Sequence, residues 1–249
     1  MLWTQSWDKP RKGKNMVLYK LTNERGVTRS DLTGETHWRE GQTLTLLPCL
    51  DPQLCSCDVI HAYRDPNSAL LLNPVHAGFR NPLIWEAEGK VVVEDWGKVG
   101  CFALTTIKRI DYPEWYSDKV KQNRVILQLA LLCVEAVSCE IEKEYTESNL
   151  VQQVIDVIKE VYAGQKQFTT ISLELERAVG RFNPPRFSTL QPFVETLLYA
   201  LAIATDVRHN SNRIAIERQC ALLLSACAAS GNNTLELINR AVDIETRPT

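Results

Sequence analysis

Charge of one sign is missing from this sequence: 28 Lys and Arg stand against 30 Asp and Glu, a net of -2 over 249 residues. Such a chain has no global field to draw it to nucleic acid or to an anionic membrane. Only Lys9, Arg11, Lys12 and Lys14 form a basic cluster, read as a solvated arm with at most a nucleic-acid contact. Long apolar runs are missing as well. The longest, Val125 to Val137, is interrupted by Gln128 and Glu135 and is shorter than the roughly 20 residues that cross a bilayer. Residues 1–20 lack an apolar core and a small-residue cleavage site, so no secretory leader is expected. There is no repeat of fixed period and no low-complexity segment. The GxGxxG fingerprint, the phosphate loop, HExxH and GxSxG are all absent, which removes the commonest nucleotide, metalloprotease and serine-hydrolase chemistries. No cofactor is expected.

What is present suits an ordinary globular protein. Hydrophobic residues make up 45% and charged residues 23%, enough to bury a core without staples. The eight cysteines are scattered, and are read as reduced thiols in a cytoplasm. Composition shifts at Asp111-Tyr112-Pro113. Before it lie short β-branched and aromatic runs with turns; after it helical periodicity dominates. The pattern predicts an α+β fold: an arm over 1–15, a small mixed α+β domain over 16–112, and an all-α domain over 113–249.

Within the first domain, Met16 to Thr22 reads as a strand that ends in the turn Asn23-Glu24-Arg25-Gly26, and 27–35 reads as loop. Further strand pieces are expected at Thr36 to Trp38, Thr43 to Leu47, Val59 to Tyr63, Leu83 to Glu88, Lys90 to Glu94 and Val99 to Ile110. Asp65-Pro66 is a helix start, with Asp65 as cap and Pro66 in the first turn, and Asn73-Pro74 is its expected end. Helices are then expected over Ser117 to Glu144, Ser148 to Ala163 with Ser148 as cap, and Ser172 to Val179. Another starts at the capping box Ser188-Thr189-Leu190-Gln191 and runs to about Val207. The last two are Arg213 to Ala229 and the short helix opened by Asn233-Thr234-Leu235-Glu236.

Three constellations could carry chemistry. Cys49, Cys55, Cys57 and His61 are the metal candidates, because zinc takes four thiolate or imidazole ligands; the spacing fits no familiar zinc knuckle, and structural cysteines are the alternative. His61, Arg64, His76, Glu86 and Glu88 are the catalytic candidates, since Trp85-Glu86-Ala87-Glu88 sets two carboxylates on one face of a strand, where their acid and base roles can separate. Such a Glu-x-Glu strand also resembles ADP-ribosyltransferases, although their Ser-Thr-Ser motif and early-strand Arg are not evident here. A dyad of Cys101 with His61 or His76 stays open. Against catalysis, His61 and His76 read as structural rings bonded to backbone or carboxylate groups at the turns beside them. Finally Trp3, Trp7, Trp38 and Tyr116 lie beside turns, charges or the arm and are read as interface anchors.

The series Asp58-Val59-Ile60-His61-Ala62-Tyr63-Arg64-Asp65-Pro66, Leu71-Leu72-Asn73-Pro74-Val75-His76-Ala77, Leu83-Ile84-Trp85-Glu86-Ala87-Glu88-Gly89 and Lys98-Val99-Gly100 resembles an uncharacterised domain of bacteria and their phages. That domain opens on a short strand like Leu18 to Thr22 and continues into an Ala-rich helical region comparable to Leu197 to Ala229. The resemblance spans about residues 16 to 110. It implies a bacterial, phage or mobile-element setting and no particular activity. The expected function is a non-enzymatic interaction module with a protein partner or self-association, such as a phage-encoded inhibitor of a host system; the alternative is an enzyme of ADP-ribosyltransferase-like type.

Overall fold

A computed structural model describes residues 15–30, 34–144, 149–164, 191–208 and 213–247. The expectations for Trp3, Trp7, Lys9, Arg11, Lys12, Lys14, Ser148, the helix over 172–179 and the cap at Ser188 lie outside these residues. The chain mixes strands and helices, an α+β protein. Its backbone contacts divide it into one unit of residues up to Tyr112 without 74–76, and a second of 74–76 with the residues from Pro113 onward.

The first unit is built on β1 (Met16–Thr22), β2 (Val27–Ser30), β3 (Gly34–His37), β4 (Thr43–Thr45), β5 (Ile60–Ala62), β6 (Leu83–Glu94) and β7 (Val99–Ile110). β1, β6, β7 and β4 pair in that order, and β5 also pairs with β7; all pairings are antiparallel. Tyr19 and Tyr63 exchange backbone hydrogen bonds of 2.8 and 2.9 Å. The ladder β1–β6–β7–β5 therefore returns to β1 around one core. Alternation supplies that core: Leu18 from β1, Trp85, Ala87 and Val91 from β6, Cys101 and Leu104 from β7, Ile60 and Ala62 from β5, with Trp38.

Several local expectations are corrected. Residues 27–30 and 34–35 are not loop: β2 and β3 pair antiparallel, and the backbone N–H of Trp38 then donates to Gly26 O at 2.7 Å. The two pieces at 83–88 and 90–94 are one strand, whose register against β7 shifts at Glu86/Ala87, Gly89/Val91 and Val91/Val93. These shifts also break the strict alternation expected in β7, where Cys101, Leu104 and Thr106 are buried and Ala103 is exposed. Helix α1 (Pro66–His76) does begin at Asp65, whose carboxylate accepts from the Ser68 N–H at 2.7 Å. It does not stop at Asn73-Pro74. Proline in the last turn forfeits only one intrahelical hydrogen bond, and the Asn73 side chain pins the exit by exchanging hydrogen bonds with the backbone of Phe79 at 2.8 and 3.1 Å.

The second unit holds α2 (Glu114–Ser117), α3 (Lys119–Glu144), α4 (Leu150–Tyr162), α5 (Gln191–Arg208), α6 (Arg213–Ala229) and α7 (Thr234–Thr246). Asp118 separates α2 from α3 and caps the latter, accepting from Val120 and Lys121 at 2.7 and 3.1 Å. By length and composition Lys119–Cys139 would pass for a membrane-crossing helix. Here it is the bundle's axis: it packs on α4, α5, α6 and α7 and buries Val125, Ile126, Leu129, Cys133, Val134 and Val137. Asn149 occupies the cap position of α4 without a side-chain cap hydrogen bond, and Asn233 caps α7 by accepting from Glu236 N–H at 3.3 Å. Arg124 donates to Glu245 at 2.8 Å and to the Tyr162 hydroxyl at 2.6 Å, tying α3 to α7 and α4.

Candidate functional site

The loop between β4 and β5, residues 46–59, is where chemistry and exposure meet. It leaves β4 with the Leu46 N–H on Phe102 O at 2.7 Å and then turns outward. Leu47 is 92% and Leu50 106% exposed, and Cys49, Cys55 and Cys57 are exposed thiols. The loop is held by its own polar groups. The Ser56 hydroxyl donates to Gln53 O at 2.7 Å and accepts from the Asp58 N–H at 3.1 Å. Cys55 sits at φ 63°, a left-handed conformation found at no other non-glycine residue among those described. Its N–H donates to His61 Nε2 at 3.0 Å. Its sulfur accepts from Lys98 Nζ at 2.7 Å. Lys98 lies in the β6–β7 turn, which Asp95 fixes by accepting from the N–H groups of Gly97 and Lys98 at 2.8 Å each.

The catalytic candidates are not brought together. His61 bonds backbone, as its structural reading requires, but at Cys55, six residues upstream, not at the turn of Asp65-Pro66. Arg64 is held by Glu94, its Nε and Nη2 both on Oε2 at 2.9 and 2.5 Å. Glu86 and Glu88 project from β6 on the face opposite the core, and Glu86 pairs with Lys108 at 3.6 Å. His76 lies in the last turn of α1. Cys101 is fully buried in the core, and burial pushes its thiol up to about 11, so it is no exposed nucleophile. An open hollow lined by His37, Arg39, Glu40, Gly41 and Gln42 gathers none of the catalytic candidates. Among the described residues no three His, Cys, Asp or Glu side chains converge to hold a metal ion, so Cys49, Cys55, Cys57 and His61 form no ligand set.

Two expected interface anchors are corrected. Trp38 is 3% and Tyr116 7% exposed. Trp38 closes one side of the barrel core and donates from Nε1 to Thr28 Oγ1 at 2.9 Å; Tyr116 meets Trp115 edge-on, ring centroids 5.6 Å apart. Neighbouring turns and charges did not keep either ring in water, because burying a large aromatic surface outweighs them, with a hydroxyl partner for the Trp38 N–H and an edge-on ring for Tyr116.

Sequence reasoning missed Lys98 and Lys20. Lys20 stands on the core face of β1, buried, with Nζ donating to His61 O at 2.8 Å and lying 5.3 Å from the centre of the Trp38 ring. Burial pulls its ammonium down to about 8, against a smaller upward pull from Cys101. The signal for Lys20 was in the sequence, since it alternates with Leu18 and Thr22 on one face. Nothing comparable marked Lys98. Compared with family models, with curated proteins and with solved structures, the chain matches none.

Proposed function

We propose that this chain is a protein-binding module that docks a partner protein through the 46–57 loop. The observation that carries this reading is Leu47 and Leu50, both in water on a loop anchored on one side by the Leu46 N–H on Phe102 O and on the other by the Ser56 bonds to Gln53 and Asp58. A preformed loop loses little conformational entropy on binding, and each leucine buried in a partner's apolar pocket contributes about 1.5–3 kcal/mol. The alternative, ADP-ribosyltransferase-like catalysis, is weakened by the dispersal of its residues: the His61 ring bonds backbone, Arg64 is paired with Glu94 and Glu86 with Lys108. The resemblance of residues 58–100 supports a bacterial, phage or mobile-element setting, and the scattered thiols support a cytoplasmic one.

The test is a photo-crosslinking residue at Leu50 in living cells, with and without Leu47→Asp. A defined crosslinked species, either a foreign protein or a second copy of the chain, that falls at least about tenfold in the variant supports docking at this loop. A crosslinking pattern indifferent to Leu47→Asp overturns it; because the side chain is exposed, the variant is expected to fold.

A further inference from the structure

We propose that Cys55 and Lys98 form a peroxide-responsive pair that closes a covalent sulfur–nitrogen crosslink between the 46–59 loop and the β6–β7 turn. Three exposed cysteines share that loop, yet only the Cys55 sulfur is met by an ammonium, at 2.7 Å. Lys98 is only 8% exposed, and among the described residues the Cys55 sulfur is the sole partner of its Nζ, with no carboxylate within ion-pair distance. A buried ammonium without a carboxylate is costly, and sulfur reacts as its anion, for which that ammonium is the counter-ion. Both ends are held: Cys55 by its N–H on His61, Lys98 by its N–H on Asp95. The two atoms thus stay in reach without any movement of the loop, the arrangement that turns an encounter into an internal reaction.

The chemistry closes on hydrogen peroxide alone as oxidant. The sulfur anion attacks one peroxide oxygen, the O–O bond breaks, and the departing hydroxide takes a proton from the Lys98 ammonium to become water. Cys55 is now a sulfenic acid, oxidised by two electrons while peroxide is reduced. The Lys98 amine attacks the sulfur, the S–O bond breaks, and the leaving hydroxide carries off an N–H proton as a second water. Sulfenic acids condense in this way with nitrogen nucleophiles as well as with thiols. The product is neutral, so the buried charge at Lys98 disappears with the reaction.

The experiment treats the full-length protein with hydrogen peroxide, blocks remaining thiols and digests with trypsin. Cleavage after Arg39 and Arg64 puts Cys49, Cys55 and Cys57 in one peptide, 40–64, while a modified Lys98 resists cleavage and leaves 91–108 intact. The expected result is peptide 40–64 joined to 91–108, lighter by about 2 Da than the sum of the two, and released by dithiothreitol. It should persist in the Cys49→Ser/Cys57→Ser variant and vanish in Lys98→Arg, which keeps the charge without the amine. A disulfide within 40–64, a Cys55 that stops at sulfinic acid while Lys98 is cleaved normally, or no oxidation at Cys55 each overturns the proposal.

Discussion

Lys20 concentrates the strain of this fold in one residue. Its ammonium is inside the barrel core, with one carbonyl, one ring face and the Cys101 thiol as its polar surroundings. Burial holds it at about 8, whereas in the unfolded chain it titrates at its ordinary 10.5. Between those values the unfolded state binds more protons than the folded one, so this residue makes stability rise with pH across that window and is most costly below about 8. The difference corresponds to about 3 kcal/mol. Cys101 acts in the opposite sense: its thiol, raised from 9.0 to about 11, makes stability fall between those values. The clean readout is therefore a difference between proteins. Urea melts of the wild type and Lys20→Met should be separated by a constant increment at pH 6–8 that moves against the variant as pH rises toward 10.5. A separation independent of pH would show that Lys20 is solvated in the folded state. Residue identity alone told part of this: the alternation of Leu18, Lys20 and Thr22 was legible, whereas the closing of β5 over Lys20 was not.

Elements were legible where they carry their own signal. β1 and β7 are long runs of β-branched and aromatic residues bounded by turn residues, and both begin and end where expected. β2 and β3 have no such signal; four residues each and mostly polar, they are strands because they pair with each other. The contact of Cys55 with Lys98, 43 residues apart, depends on where the β6–β7 hairpin folds back, which local sequence does not contain. That hairpin in turn depends on two glycines. A Cβ on Gly100 would meet Val59 Cγ2 at 2.6 Å and Val93 Cγ1 at 2.8 Å; one on Gly89 would meet Ala103 O and Leu104 Cδ1, both at 2.9 Å. Neither glycine has a positive φ, so space, not backbone conformation, selects them. Gly100→Ala should cost about 1–3 kcal/mol by overpacking, read as a lowered urea midpoint with unchanged slope. An unchanged midpoint would mean the β5–β7 seam yields freely.

At the scale of the whole molecule, each unit owns its core. The barrel cluster draws only on residues from Leu18 to Leu104. The helical unit is tied across its own sequence by Arg124 and Gln122 of α3, which reach Glu245 of α7 and Glu217 of α6 at 2.8 and 2.9 Å. A unit with a hydrophobic core of its own can fold without the rest of the chain. The first unit is of ordinary domain size, but it contains a buried lysine, which lowers its margin. A fragment of residues 15–112 is therefore expected to unfold in one cooperative urea transition, with strand-rich circular dichroism and the same Lys20-dependent rise in stability above about pH 8. The pH signature matters because it distinguishes the native barrel, in which Lys20 is buried beneath Trp38, from a collapsed but solvated chain. A fragment that melts without a cooperative transition, or one that melts cooperatively with no response to Lys20→Met between pH 7 and 10, would show that the barrel closes only in the presence of the helical unit.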